Sequence, residues 1–179
     1  RLLEKAFELD QTDSRIFMEL DQLYKKMGRA HAERLTFLEA HLELVAQRDD
    51  LCIERITLYN QLGNYEKARE LIAARKFHPW EGGEGKVTGQ YILCRVELAK
   101  KAIKEKRYLE AISLLKETDH YPHNLGEGKL INAEENEVDY YKGIAYQKLG
   151  NEAESIKYLM KATQGSSEPQ QAFYYNDQQ

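Results

Sequence analysis

The chain has 179 residues, 31% of them charged and 10% aromatic, with a formal net charge of −4. That length suits one compact domain or a short repeat array with a substantial apolar core, and the acidic balance gives no general attraction for nucleic acid or anionic lipid. No apolar run approaches the roughly 18 residues of a membrane-spanning helix, so membrane insertion is not expected.

The opening "RLLEKAFELD" carries acids through its apolar pattern, unlike the uninterrupted core of a signal peptide. It reads as mid-helix, the end of a preceding unit over residues 1–13. A cytoplasmic location is expected, with the possibility of a signal further upstream left open. From residue 14, Ile16, Leu20, Leu23, Tyr24 and Met27 recur at helical spacing, then Gly28 breaks the pattern before a second helix. The same order of helix, turn and helix follows at Gln61-Leu62-Gly63-Asn64-Tyr65, at Glu105-Lys106-Arg107-Tyr108, and at Lys148-Leu149-Gly150-Asn151. Equivalent turn positions Gly28, Gly63, Lys106 and Gly150 are 35, 43 and 44 residues apart. Four helical hairpins are predicted, over 14–48, 49–91, 92–135 and 136–168, with 169–179 a tail or the start of a further unit. Cys52 and Cys94 fall inside helical patterns and are expected to be reduced core thiols.

A unit near 34 residues, with Phe17, Leu20, Tyr24 and Phe37 in the first copy and Tyr59, Ala68 and Ile72 in the second, resembles the tetratricopeptide repeat. Leu98, Ala111 and Leu115 continue the match, as do Gly143, Tyr146 and Leu159. Departures occur at Asp21 and Ile56, where the pattern prefers Gly, and at Glu33 and Ser155, where it prefers Ala. The resemblance implies an all-α fold, a right-handed α-solenoid of antiparallel hairpins. One hairpin cannot cover its own apolar face, whereas stacked hairpins share a continuous core.

The second and third units carry extra residues related by a constant offset. In "HPWEGGEGKV" and "YPHNLGEGKL", Pro79 matches Pro122, Gly83 matches Gly126, Gly85 matches Gly128 and Lys86 matches Lys129. A nucleotide-binding loop requires Gly, four residues, then Gly-Lys-Ser/Thr between a strand and a helix, so that backbone amides surround phosphate and a hydroxyl holds magnesium. Here Trp80 and His123 replace the first Gly, Val87 and Leu130 replace the hydroxyl residue, and a helix precedes each loop. Long structural turns are therefore expected, with Trp80 pinning its loop by burying its ring. A second possibility is that Gly-Glu-Gly-Lys at the start of a long helix receives an anion or a carboxylate tail.

The stretch "RKFHPWEGGEGKVTGQY", with "YPHNLGEGKL" and "FYYNDQQ", further resembles the tetratricopeptide region of a group of large bacterial proteins. In that group the resemblance implies an upstream β-sandwich similar to galactose-mutarotase-like domains, and with it a rival role as a helical accessory domain of a carbohydrate-active protein. It carries no catalytic residue over. His31, His41, His78, His120 and His123 form no HExxH or paired-Cys pattern, and no GxSxG is present. No metal, cofactor or catalytic chemistry is expected.

What the tetratricopeptide resemblance does imply is a concave groove lined by the first helix of each pair. In the first two units its positions include Arg15, Lys25, Lys26, Asn60 and Gln61. Lys100, Lys104, Tyr140, Gln147 and Lys148 continue it. Six bases stand against two acids, Asp50 and Glu137, among the groove positions of this acidic chain. The expected function is non-catalytic binding of a protein or peptide, with a preference for acidic ligands and with neighbouring domains of a longer parent as further partners.

Overall fold

A computed structural model describes residues 2–129, 133, 135–164 and 171–172. Among them are the helices α1 (Leu2–Leu9), α2 (Ser14–Lys26), α3 (His31–Glu39), α4 (Leu42–Ala46) and α5 (Asp49–Gln61), followed by α6 (Tyr65–Ala73), α7 (Lys86–Lys104), α8 (Tyr108–Lys116), α9 (Asn136–Leu149) and α10 (Glu152–Ala162). The fold is all-α and of tetratricopeptide type. The chain divides into two compact units, Arg1–Asn64 and Tyr65–Gln179.

In the first unit, the Asp13 side chain accepts from the amides of Arg15 and Ile16 and so starts α2, while Lys25 and Lys26 sit in its last turn against the negative end of the helix dipole. The buried face of α2 is Phe17, Leu20 and Tyr24, and burial of each of the first two is worth roughly 1.5–3 kcal/mol. Phe17 lies at the centre of a ring cluster, with centroids 4.6 Å from Phe37, 5.0 Å from His41 and 5.3 Å from Phe7. The second helix of this hairpin is broken at Ala40–His41, where the His41 ring lies 3.0 Å from the Phe37 carbonyl, and resumes as α4.

The turn of this hairpin is one residue longer than that of the next, since α3 starts five residues after Lys26 and α6 four residues after Gln61. The register of α3 shifts accordingly. Arg34, rather than Glu33, stands three residues into its helix as Ala68, Ala111 and Ser155 do, and Glu33 faces solvent. Arg34 therefore enters the hairpin interior opposite Asp21, and the two form an ion pair where the repeat pattern has small residues. Arg34 Nε and Nη2 donate to the Asp21 carboxylate at 3.1 and 2.6 Å, and Nη2 also donates to Glu54 on α5 at 2.7 Å. Lys25 Nζ completes the network at 2.9 Å from Glu54. Asp21 is 0% and Arg34 2% exposed. Burial pushes the Asp21 carboxyl up despite its bonds to Arg34. Burial opposes the charge of Glu54 as well, but bonds from Arg34 and Lys25 outweigh it and hold that carboxyl below its usual range.

The second unit stacks α6 on α7, α7 on α8, α8 on α9 and α9 on α10. Its core joins Val96, Ala99 and Ala102 of α7 to Ala111, Leu114 and Leu115 of α8 and Val138, Ala145 and Tyr146 of α9. Here the small-residue rule is kept. A Cβ at Gly143 would meet Leu159 Cγ of α10 at 2.7 Å, so only glycine permits this approach. Helix α7 starts at Lys86, not at Ile92 as the repeat count predicts, so part of the first insert is helical. Gln171–Ala172 pairs antiparallel with Gly128–Lys129 as a two-residue strand, and the remainder of the predicted 169–179 segment lies outside the described residues.

Replacing Arg34 by Met leaves Asp21 buried without its partner and is expected to cost roughly 3–5 kcal/mol in urea denaturation. Adding Asp21→Leu to that variant is expected to recover most of the loss, a coupling that a double-mutant cycle measures directly.

Candidate functional site

Three places in the molecule bear on function. The first is the pair of Gly-rich loops. The Asn124 side-chain amide donates to the carbonyls of Ile72 at 2.8 Å and Arg75 at 2.9 Å, closing the open end of α6, while the Phe77 amide donates to the Asn124 carbonyl at 2.7 Å. Gly126 has φ +73°, and a Cβ there would lie 2.6 Å from the Phe77 carbonyl and 3.4 Å from the Pro79 ring. The two loops thus lie against each other within the second unit.

At the start of α7, Gly85 takes a left-handed φ of 71° and offers no capping side chain. Glu127 supplies the missing acceptor: one carboxylate oxygen accepts from the Gly85 amide at 2.7 Å and the other from Thr88 Oγ1 at 2.8 Å. The carboxylate foreseen at this helix start therefore comes from the second loop of the same chain. Its repeat counterpart Glu84 is exposed, so the two copies have separate roles. Lys129 donates to the carbonyls of Thr118 and Asp119 at 2.8 and 3.3 Å and pairs with Glu135 at 2.5 Å, whereas Lys86 is exposed. Pro122 is exposed, and its carbonyl accepts from the Leu125 amide, while Gly128 is buried. Trp80 corrects an expectation: its ring is half-buried and lies across Gly83 within its own turn, where a Cβ would come within 2.1 Å of the indole. Phe77, 1% exposed, is the aromatic that this loop buries.

The second place is the predicted groove set, which falls half in each unit. In the first unit Arg15 pairs with Glu19 at 3.2 Å, Lys25 is held by Glu54, Lys26 and Gln61 are exposed, and Asn60 is buried at 3% exposure. In the second, Lys100 bridges Glu97 at 2.6 Å and Glu137 of α9 at 2.9 Å. Burial works against its charge, yet those two carboxylates prevail and raise its pKa well above the usual lysine value. Lys100 joins helices and is not an open cation. Lys104, Gln147 and Lys148 are exposed, as is Tyr140, whose ring meets Tyr141 at 5.1 Å.

The third is a cleft of about 290 Å³ in the first unit, at the turn between α2 and α3. It is lined by Lys25, Gly28, Arg29, Ala30, His31, Arg34 and Gln61. Arg29 is fixed by stacking over Tyr24, 3.6 Å from the ring centroid, and lies 3.8 Å from Glu4. Sequence reasoning placed Lys25 and Gln61 in the concave groove, foresaw no cleft at this turn, and gave Arg29, His31 and Arg34 no part in binding. The missed signal was the extra residue in the turn.

Among the described residues no group of three or more His, Cys, Asp and Glu is placed to hold a metal ion, and no helix is long and apolar enough to cross a membrane. Cys94 is fully buried, and burial pushes its thiol up, away from a reactive thiolate.

No protein-family model matches the chain. Solved structures of MamA, a tetratricopeptide-like helical protein, are similar to it in fold. A mutant of MamA aligns with a TM-score of 0.55 at 20% identity, covering 92% of this chain and 84% of its own. MamA from AMB-1 gives 0.56 at 21% identity over 90% and 78%, and MamA from MSR-1 gives 0.54 at 20% over 90% and 81%. At this identity the likeness establishes the architecture.

Substituting Glu127 by Gln is expected to lower the stability of the chain by about 1–2 kcal/mol, because the start of α7 loses its charged acceptor. Gly126→Ala is expected to cost roughly 1–3 kcal/mol through left-handed strain, while Glu84→Gln stays within about 0.5 kcal/mol. Denaturation midpoints of the three variants check this order.

Proposed function

We propose that this protein is a non-catalytic scaffold that binds protein or peptide segments, with a preference for acidic ones, and that neighbouring domains of a longer parent are among its partners. The observation that carries the acidic preference is the division among the predicted groove cations. Arg15, Lys25 and Lys100 pair with the chain's own carboxylates, whereas Lys26, Lys104 and Lys148 stand exposed and form no ion pair among the described residues. Lys104 ends α7 and Lys148 lies in the last turn of α9, two first helices that touch within the second unit. With exposed Gln147 and Tyr140, also on α9, they offer charge, amide donors and an aromatic surface. Such a mixture suits an extended acidic peptide better than a reaction centre. Helical-hairpin architecture supports the same reading, since it presents surface along its helices. A cytoplasmic setting is consistent with reduced Cys52 and Cys94.

Fluorescence polarisation with an Asp/Glu-rich peptide tests the reading. Binding is expected to weaken with added salt, and Lys104→Glu combined with Lys148→Glu is expected to weaken it about tenfold further. Lys100 is left intact because its reversal would break the Glu97 and Glu137 bridges. Equal affinity for an Asn/Gln-rich peptide, independent of salt, would contradict the acidic preference.

A further inference from the structure

We infer that the cleft at the turn of the first hairpin is an oxyanion site that receives a carboxylate from an acidic partner segment. The inference rests on the scaffold reading and gives it a specific point of attachment, away from the exposed lysines of α7 and α9. Apart from Gly28 and Ala30, every residue lining the cleft has a nitrogen in its side chain: Lys25, Arg29, His31, Arg34 and Gln61. No carboxylate is among them. The acids of this region lie behind the donors and fix them, Asp21 and Glu54 gripping Arg34, Glu54 gripping Lys25, and Glu4 lying near Arg29. Donors held this way lose little side-chain freedom when a ligand arrives, and that lowers the cost of binding.

Two further features point into the same space. Arg34 spends Nε and Nη2 on Asp21 and Glu54, and among the described residues Nη1 takes no partner. The guanidinium belongs to a residue that is 2% exposed yet lines the cleft, a largely desolvated setting where a charged hydrogen bond is strongest. Ala30 and His31, which also line the cleft, begin the nine-residue helix α3, and Ala30 has no side-chain oxygen to cap the first-turn amides. Those amides add donors at the positive end of the helix. The charge balance selects the ligand. Three cations already face three carboxylates here, so a monoanionic carboxylate is matched by directional donors, while a phosphate dianion would bring a surplus of negative charge.

The test uses the whole chain, labelled with 15N, and three probes: acetate, an Asp/Glu-rich peptide amidated at its C-terminus, and a neutral peptide with a free C-terminal carboxylate. The expected result is that acetate and one of the peptides shift the amides of Gly28, Ala30 and His31 and the side-chain amide of Gln61. The amidated peptide responding assigns the ligand to acidic side chains, and the neutral peptide responding assigns it to a chain terminus. Arg29→Gln and Gln61→Ala, at exposed positions, are expected to weaken that peptide about tenfold, while Lys148→Gln leaves the cleft shifts in place. Acidic-peptide binding that ignores Arg29→Gln and Gln61→Ala but falls with Lys104→Gln and Lys148→Gln overturns the cleft site and leaves the scaffold reading intact. Cleft shifts with acetate, without binding of either peptide, overturn the proposal that the cleft receives a partner's carboxylate. Silence with all three probes overturns both.

Discussion

Two antiparallel helices approach closely only where the residues between them are small or where the groups between them are paired. Both solutions occur in this chain. In the last hairpin Gly143 lets α9 meet Leu159 of α10, and nothing larger fits. In the first, the position that favours glycine holds Asp21, and it is tolerable because Arg34 arrives opposite to it with two hydrogen bonds. An isolated carboxylate at 0% exposure would be prohibitive, whereas a bidentate pair offsets much of its desolvation. The consequence extends to α5, because Arg34 also recruits Glu54, which in turn fixes Lys25. One charged substitution thus organises three helices and leaves fixed nitrogen donors around a cleft.

The duplicated Gly-rich loops follow similar logic in the second unit. Their sequence suggests a phosphate cradle, but the donors they create are consumed internally. Glu127 closes the start of α7, Asn124 closes the end of α6, and Lys129 closes carbonyls after α8. Helix ends leave orphan amides and carbonyls that a long connection must satisfy, and the second loop does so with these three polar side chains. Duplication supplied two copies of the motif, and contact between them gave Glu84 and Glu127 different tasks.

Much of the fold was legible because its signals are local. Apolar spacing marked each helix, and three of the four turns carry glycine with positive φ at the expected place, Gly28, Gly63 and Gly150, with Lys106 at φ 62° in the fourth. What escaped was relational. A one-residue difference in turn length moved Arg34 inward, and no composition or periodicity of α3 reveals that without the position of α2. That Phe77 is the buried aromatic of its loop escaped for a related reason: burial of a loop aromatic depends on the loop it meets, here through the Phe77 amide and the Asn124 carbonyl. Candidate groove lysines were legible as a set, but their partners were not. Glu97 neighbours Lys100 along one helix, while Glu137 reaches it only through the stacking of α7 and α9.

The buried charge network is therefore the feature on which the first unit and its cleft depend. Carbon-13 detection of the side-chain carboxyls of Asp21 and Glu54 through an acid titration of the folded chain observes it directly. The account predicts that Glu54 titrates below the usual glutamate range and Asp21 above the usual aspartate range, in line with bonds that outweigh burial at one and burial that dominates at the other. Ordinary, independent titration of both carboxyls would show that Arg34 does not join them and would contradict it.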